Sequence, residues 1–459
     1  AMQERPPGDE HPDFWRNLRQ ELVGGHQWID RAVVLAYAVA TGLVVVGCTL
    51  LSEWAYALYM HGRGLQPAGP WLALLWTPAL TVAILWATRR FAPAATGSGI
   101  PQVIAALDAR SDDARVGWLV SMKVSLHKTW LVAAGMLAGL SIGREGPTVQ
   151  IGAGVMLHAR RWLSPGAGVD AHDLMVAGAA AGIAAAFNTP LGGVMFALEE
   201  LSRRRGLSHS ALVIVSIVTA GLVAVSVFGN ITYFGRLAVQ RLDWGLFGPG
   251  LLVALIAGLA GGLFSRLIVV SMQGQGDRFS RWRREHPLRF AAGCAFGVAL
   301  IGLVTHGATA GAGATATREL LEGDAQWPAL YTVLKFCATW LSAWTGVPAG
   351  VFAPSLSIGA GIGHDVALWA GVGAERAIPL IALGMVGFLA ATTQAPITAF
   401  IIVMEMVAGH AMVLSLMATA LLSSGVSRMV ARPMYGELAS LLMPRPAPAA
   451  EPARGGPSS

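Results

Sequence analysis

The apolar runs of this chain are too long and too numerous for a soluble domain. Ala32–Leu51, Trp71–Ala87, Ala211–Phe228 and Leu251–Val270 approach or exceed the roughly 20 residues that cross a bilayer as a helix. Charged residues make up only 13% of the 459, and the mean hydropathy is +0.57. A single all-helical polytopic membrane domain therefore fits better than several soluble ones. The 56 glycines suit that class, because membrane helices use glycine for close packing.

The net charge of +6 lies largely in short basic clusters: Arg89-Arg90, Arg160-Arg161, Arg203-Arg204-Arg205, and a group between Arg278 and Arg289. These clusters flank apolar runs. They read as cytoplasmic loops rather than as a nucleic-acid surface, because Lys and Arg concentrate on the inner side of membrane proteins. Cys48, Cys294 and Cys337 all fall within apolar runs, which is no disulfide framework. The histidines show no metal-ligand spacing, so neither metal nor cofactor is expected. The expected organisation is an N-terminal cytoplasmic segment at 1–30, membrane repeats at 31–230 and 250–442, and a Pro-rich disordered tail at 443–459.

Several apolar segments are shorter than a span and interrupted by Gly or Pro. Broken backbone at membrane depth is tolerated where it is buried in protein or lines a cavity, and in transporters it marks the substrate site. The central break is Gly143-Arg144-Glu145-Gly146-Pro147, between Leu131–Ile142 and Thr148–Leu157. It sets an arginine and a glutamate at membrane depth, where charge is costly and functional by default. Positions 97–101 and 350–354 share its Gly-x-x-x-Pro pattern. Gly143 to Val155 aligns with Gly350 to Ile362 at an offset of 207 (143 to 350). Pro190 and Glu199 repeat as Pro396 and Glu405 at an offset of 206 (190 to 396). Two matches at nearly one offset indicate two structural repeats meeting at a site near the midplane.

Each break can aim helix N-terminal amides at a common point. Free N–H groups and the helix dipole attract anions there without a full positive charge, so release stays fast. Glu145 is then an anion tethered to an anion site: present when ionised, absent when protonated. Ser98 can add a hydroxyl to the ion or cap its own helix, and the sequence leaves both open. Glu199 reads as a solvated or Arg-paired carboxylate at the membrane edge. Glu200 is balanced between proton relay and ion pair, and Glu405 reads as structural. Lys123, Lys128 and Lys335 are expected to pair with carboxylates or to snorkel to the interface.

Gly-Ser-Gly-Ile-Pro at 97–101, Gly-Arg-Glu-Gly-Pro at 143–147 and Gly-Val-Phe-Ala-Pro at 350–354 resemble the three signature loops of the CLC family of chloride channels and chloride/proton antiporters. The loops come in the family's order, and the resemblance covers about residues 30–442. It implies an inverted-repeat fold with many broken helices and a multi-pass homodimer in the cell inner membrane. Chloride and protons are the implied substrates, with membrane lipid around the protein and no nucleic-acid partner. Ser98 is then the hydroxyl ligand of a central ion, Gly97 an inner amide, and Arg144 and Gly146 outer amides. Val351 and Phe352 donate amides to the central ion. Glu145 becomes the external gating glutamate and Glu200 the internal proton glutamate of the antiporter branch. Tyr435, the only tyrosine after Tyr331, takes the place of the family's central tyrosine. The fluoride-selective branch departs from two of these loops, and this chain keeps both. The expected function is chloride/proton antiport. A passive chloride channel of the same fold is the nearest alternative, and an intramembrane hydrolase using Ser98 with His127 is a more distant one.

Overall fold

The structure, a computed structural model, describes residues 25–443 except 66, 110–113, 203–209, 230–232, 235–243 and 324–329. The lead-in before residue 25 and the tail from 444 lie outside the described residues. The first half contains α1 (Gly25–Arg63), α2 (Gly69–Phe91), α3 (Ile100–Asp108), α4 (Ala114–Leu119) and α5 (Met122–Leu137). It continues with α6 (Glu145–His158), α7 (Ala171–Phe187), α8 (Pro190–Phe196) and α9 (Ser210–Phe228). The second half contains α10 (Phe247–Gln273), α11 (Arg278–Glu285), α12 (Pro287–Val304), α13 (Ala314–Glu322) and α14 (Tyr331–Trp344). It ends with α15 (Phe352–Trp369), α16 (Ala374–Thr393), α17 (Pro396–Met406), α18 (Val413–Val430) and α19 (Met434–Leu442). Seven of the described helices are long and apolar enough to cross a membrane.

One expectation shifts: the first helix starts at Gly25, inside the expected lead-in. Ala114–Leu119 and Met122–Leu137 are separate helices, because Ser121 is extended and its hydroxyl accepts from the Val124 N–H at the start of α5.

The centre is built from two helix pairs that meet backbone to backbone at glycines. A Cβ on Gly152 of α6 would strike the backbone of Gly178 in α7. In the second half, a Cβ on Gly359 of α15 would strike the backbone of Gly384 in α16. Hydrocarbon supplies no hydrophobic drive between helices, so this close backbone packing is the main contact available. Both pairs end alike. Asn188 and Gln394 adopt left-handed backbone at φ 57° and 55°, stopping α7 and α16. Pro190 and Pro396 then open α8 and α17, where a missing N–H costs nothing.

The two new helices are fastened to each other. Glu405, near the end of α17, accepts the Leu191 and Gly192 N–H groups of α8 at 3.2 and 2.7 Å. Glu199, just after α8, accepts the Ile397 and Thr398 N–H groups of α17 at 3.2 and 2.6 Å. Each carboxylate fills a helix N-terminus of the other half. Glu199 is therefore not merely a solvated edge carboxylate, and Glu405 is structural as expected. Glu199 and Glu200 lie on a widened turn at Ala197–Leu201, marked by the Ser202 N–H donating to the Ala197 carbonyl at 3.0 Å.

Candidate functional site

The loops before α6 and α15 meet backbone to backbone. Gly143 N–H donates to Gly350 O at 2.7 Å, and Gly350 N–H donates to Gly143 O at 2.9 Å. The pairing is antiparallel, with equivalent residues of the two halves bonded to each other. Such a mutual pair forms about a local two-fold relation. Glycine is required here, since a Cβ on Gly350 would meet Gly143 O at 2.7 Å and Pro147 Cδ at 2.9 Å. The loop before α3 joins from the side. Gly97 N–H donates to Val347 O, and Ala349 N–H donates to Gly97 O, both at 3.2 Å. Gly97 and Gly99 hold φ of 70° and 105°, a region that favours glycine.

These contacts aim three helix starts inward, and none of the three has a side-chain cap. The first-turn amides of α3, α6 and α15 therefore keep their unsatisfied hydrogens. Glu145 lies in the first turn of α6 and is fully buried. Its carboxylate folds back over Gly143, where a Cβ would strike Oε2. The backbone N–H groups of Glu145, Arg144 and Ala353 are directed at it, although neither oxygen makes a hydrogen bond of ordinary geometry. Ala353 was not among the residues expected from sequence. Nothing distinguishes its amide until α15 is docked against α6.

Ser98 does not cap its own helix, because the N-cap of α3 is Gly99 and no side-chain bond is made there. Its hydroxyl packs where a Cβ on Gly146 would be. The buried Tyr435 of α19 turns its hydroxyl toward Ser98, with Glu200 and Glu145 both close enough to act on it electrostatically. Ser98 Oγ and Tyr435 Oη are nevertheless buried without a partner. Thus Gly97, Ser98, Gly146, Glu145 and Tyr435 lie together around these helix starts. Val351 and Phe352 open the facing helix: Val351 is its N-cap, and the Phe352 ring lies tilted against Phe187 with centroids 5.5 Å apart.

Arg144 is buried, and its ion pair is made with Glu53 rather than with Glu145. Nη2 reaches Glu53 Oε1 at 2.7 Å. Among the described residues Glu145 makes no ion pair. Arg144, Glu53, Tyr233 and Arg318 line a cavity of about 770 Å³ that leads to the buried loops. Glu200 is buried on the widened turn after α8, close enough to Tyr435 to act on it electrostatically.

Lys128 corrects an expectation. It is fully buried, and Nζ donates to Gly97 O at 3.0 Å and to Gln150 Oε1 at 2.6 Å. It neither snorkels nor meets a carboxylate. It braces the back of the Ser98 loop instead. Lys335, 207 positions later, does the same for the loop before α13, donating to Thr309 O at 2.9 Å and Gly311 O at 2.8 Å. The common offset was the available signal for both.

His127 Nδ1 lies 2.8 Å from the Lys123 carbonyl, and Ser98 Oγ has no partner. No Ser–His pair is formed. Among the described residues, Asp170, His172 and Asp173 bring three possible metal-ligand atoms within 4.8 Å of one another. Asp170 is already engaged there, accepting the Asp173 N–H at 2.7 Å to start α7.

A family model described as voltage gated chloride channel matches residues 80–428. An H(+)/Cl(-) exchange transporter ClcA of Vibrio cholerae serotype O1 is 31% identical over 395 residues, covering 80% of this chain and 79% of the relative. One of the same name from Cronobacter sakazakii is 30% identical over 423 residues, covering 87% of each. Among solved structures, a slow cyanobacterial Cl-/H+ antiporter superposes with a TM-score of 0.75 at 22% identity, over 90% of this chain and 97% of the other. A CLC-type fluoride/proton antiporter superposes with a TM-score of 0.72 at 20% identity, over 89% and 97%.

Proposed function

This chain belongs to the voltage gated chloride channel family, the CLC family, and from that footing we infer that it is a membrane transporter exchanging chloride for protons. One observation carries the reading. Four buried oxygens without hydrogen-bond partners, Ser98 Oγ, Tyr435 Oη and both oxygens of Glu145, gather where uncapped helix N-termini converge. A buried polar group left unpaired costs about 1–3 kcal/mol, so a fold that gathers four has a use for them. Two hydroxyl donors and a ring of amides fit a small monovalent anion.

The mechanism follows from one competition. Ionised Glu145 occupies the amides of α6 and α15 that an anion also seeks. A chloride at Ser98 and Tyr435 repels the carboxylate and favours its protonation. The neutral side chain loses its hold on the amides and swings out, which opens the path toward the Arg144 cavity. Return of the side chain to the amides expels chloride and releases the proton. Glu200, buried beyond Tyr435, serves as the inner proton station. Gly97, Arg144, Gly146, Val351 and Phe352 supply backbone around the ion.

Residues 31–230 and 250–442 act as the two halves of the inverted repeat. The working unit is a homodimer. The short helices α8 and α17 expose Leu191 and Ile397 beside their half-exposed glutamate caps. Carboxylates bared to lipid are costly, and a second copy against this face shields them. The proposed location is a bacterial-type inner membrane, and the basic loops favour an orientation with those loops in the cytoplasm.

The test is a proteoliposome recording both fluxes at once. Protons driven uphill by a chloride gradient alone establish exchange. Chloride flux with no accompanying proton movement assigns the chain to the channel branch.

A further inference from the structure

The cytoplasmic-side end of α2 carries Trp86, Arg89 and Arg90 on one side of the helix, at i, i+3 and i+4. Opposite stands the turn between α11 and α12, with Glu285, His286 and Arg289. Between them lies a cavity of about 460 Å³. The three guanidiniums around it make no ion pair or hydrogen bond among the described residues. This sets them apart from Arg283, which donates to the Ser271 carbonyl and lies over Phe290 and Trp344. The nearby Asp277 is also engaged, as the N-cap of α11, accepting the Ser280 N–H at 3.2 Å. Glu285 is the one carboxylate in the lining. Further polar groups there are unmet. The start of α12 has no side-chain cap, so the Leu288 and Arg289 N–H groups keep their hydrogens, and His286 Nδ1 is buried without a partner.

We propose that this cavity binds the phosphodiester headgroup of an anionic membrane phospholipid, held by Arg89, Arg90 and Arg289. Three unpaired cations against one carboxylate call for an anion, and guanidinium forks match phosphate oxygens. The cavity falls within the roughly 300–1,000 Å³ of organic ligand sites, larger than a free phosphate requires. Its place selects a lipid. It lies where the apolar span of α2 ends, beside a Trp86 that is 54% exposed, and tryptophan marks the bilayer interface. Basic pockets between membrane helices on that side are suited to anionic headgroups.

The test titrates dioleoylphosphatidylglycerol and dioleoylphosphatidylcholine into the full chain in detergent, with binding read by native mass spectrometry. The anionic phosphatidylglycerol is expected to bind in preference. Arg289→Gln is expected to weaken it roughly fivefold, and Arg89→Gln/Arg90→Gln/Arg289→Gln on the order of a hundredfold. Arg160→Gln/Arg161→Gln, an exposed basic pair elsewhere, is expected to leave binding unchanged. Equal binding of the two lipids overturns the proposal, as does full binding by the triple variant. Equal weakening by the control pair shows diffuse attraction and also overturns it. Displacement of the lipid by excess inorganic phosphate as effectively as by more lipid reassigns the cavity to free phosphate. If the triple variant does not fold, Arg289→Gln decides on the same terms.

Discussion

Replacing Ser98 by Ala and Tyr435 by Phe together separates an ion site from a structural hydroxyl pair, because the two roles give opposite signs. Both hydroxyls are buried and unpartnered within the protein. Their removal breaks no internal hydrogen bond and relieves two orphaned polar groups, so folding without chloride should not weaken. Phenylalanine keeps the ring of Tyr435, so no large cavity forms in place of the hydroxyl. Chloride, by contrast, loses two neutral donors. At about 0.5–1.5 kcal/mol each, the loss is about 1–3 kcal/mol, or roughly fivefold to a hundred-and-fiftyfold in affinity. Calorimetry measures that directly. Thermal melting with chloride and with a bulky inert anion measures it again, since every tenfold loss removes about 1.4 kcal/mol of chloride-dependent stabilisation at saturation. An unchanged chloride affinity refutes the site. So does a melting point that drops equally with and without chloride, because that outcome makes the hydroxyls structural.

Glu145→Gln is expected to imitate the protonated side chain. Chloride flux should persist with little pH dependence and proton flux should vanish, and any proton transport still driven by chloride in that variant would sink the tethered-anion mechanism. Glu200→Gln is expected to stop proton movement while chloride still passes; dual-flux recording checks it, and an unaffected proton flux removes Glu200 from the route. Glu199→Gln should act on stability instead, because Gln keeps one acceptor for two N–H groups and loses the charge at the α17 start. A loss of about 1.5–3 kcal/mol is expected by denaturant or thermal unfolding. The exchange ratio should remain intact, and a changed ratio at unchanged stability would place Glu199 on the proton route.

The parts of the fold that read clearly in the sequence are those fixed by local chemistry. Apolar runs marked the spans, Gly-x-x-x-Pro marked the three inward helix starts, and one offset linked the halves. The parts that did not read are choices of distant partner. Tyr435 carries no local motif, and it reaches Ser98 only because α19 packs on α3. Glu199 and Glu405 look like ordinary carboxylates in apolar helices until α8 and α17 are set side by side. Lys128 looked like a lysine needing an acid. Its neutral acceptors, a loop carbonyl and Gln150, belong to two other elements.

The paired glycines at the centre carry a further consequence. A conduit assembled about a two-fold relation has no front and no back. Gly143 faces Gly350, Asn188 matches Gln394, Lys128 matches Lys335, and Glu199 matches Glu405; each of these pairs does the same mechanical work in both halves. The residues assigned to the proton break the rule. At the offset of 207 the counterpart of Glu145 is Phe352, and at 206 the counterpart of Glu200 is Met406. Neither Phe nor Met can hold a proton. Construction is thus shared between the halves, while the two residues assigned to the proton are not. Differences of this kind let the ion distinguish outward from inward.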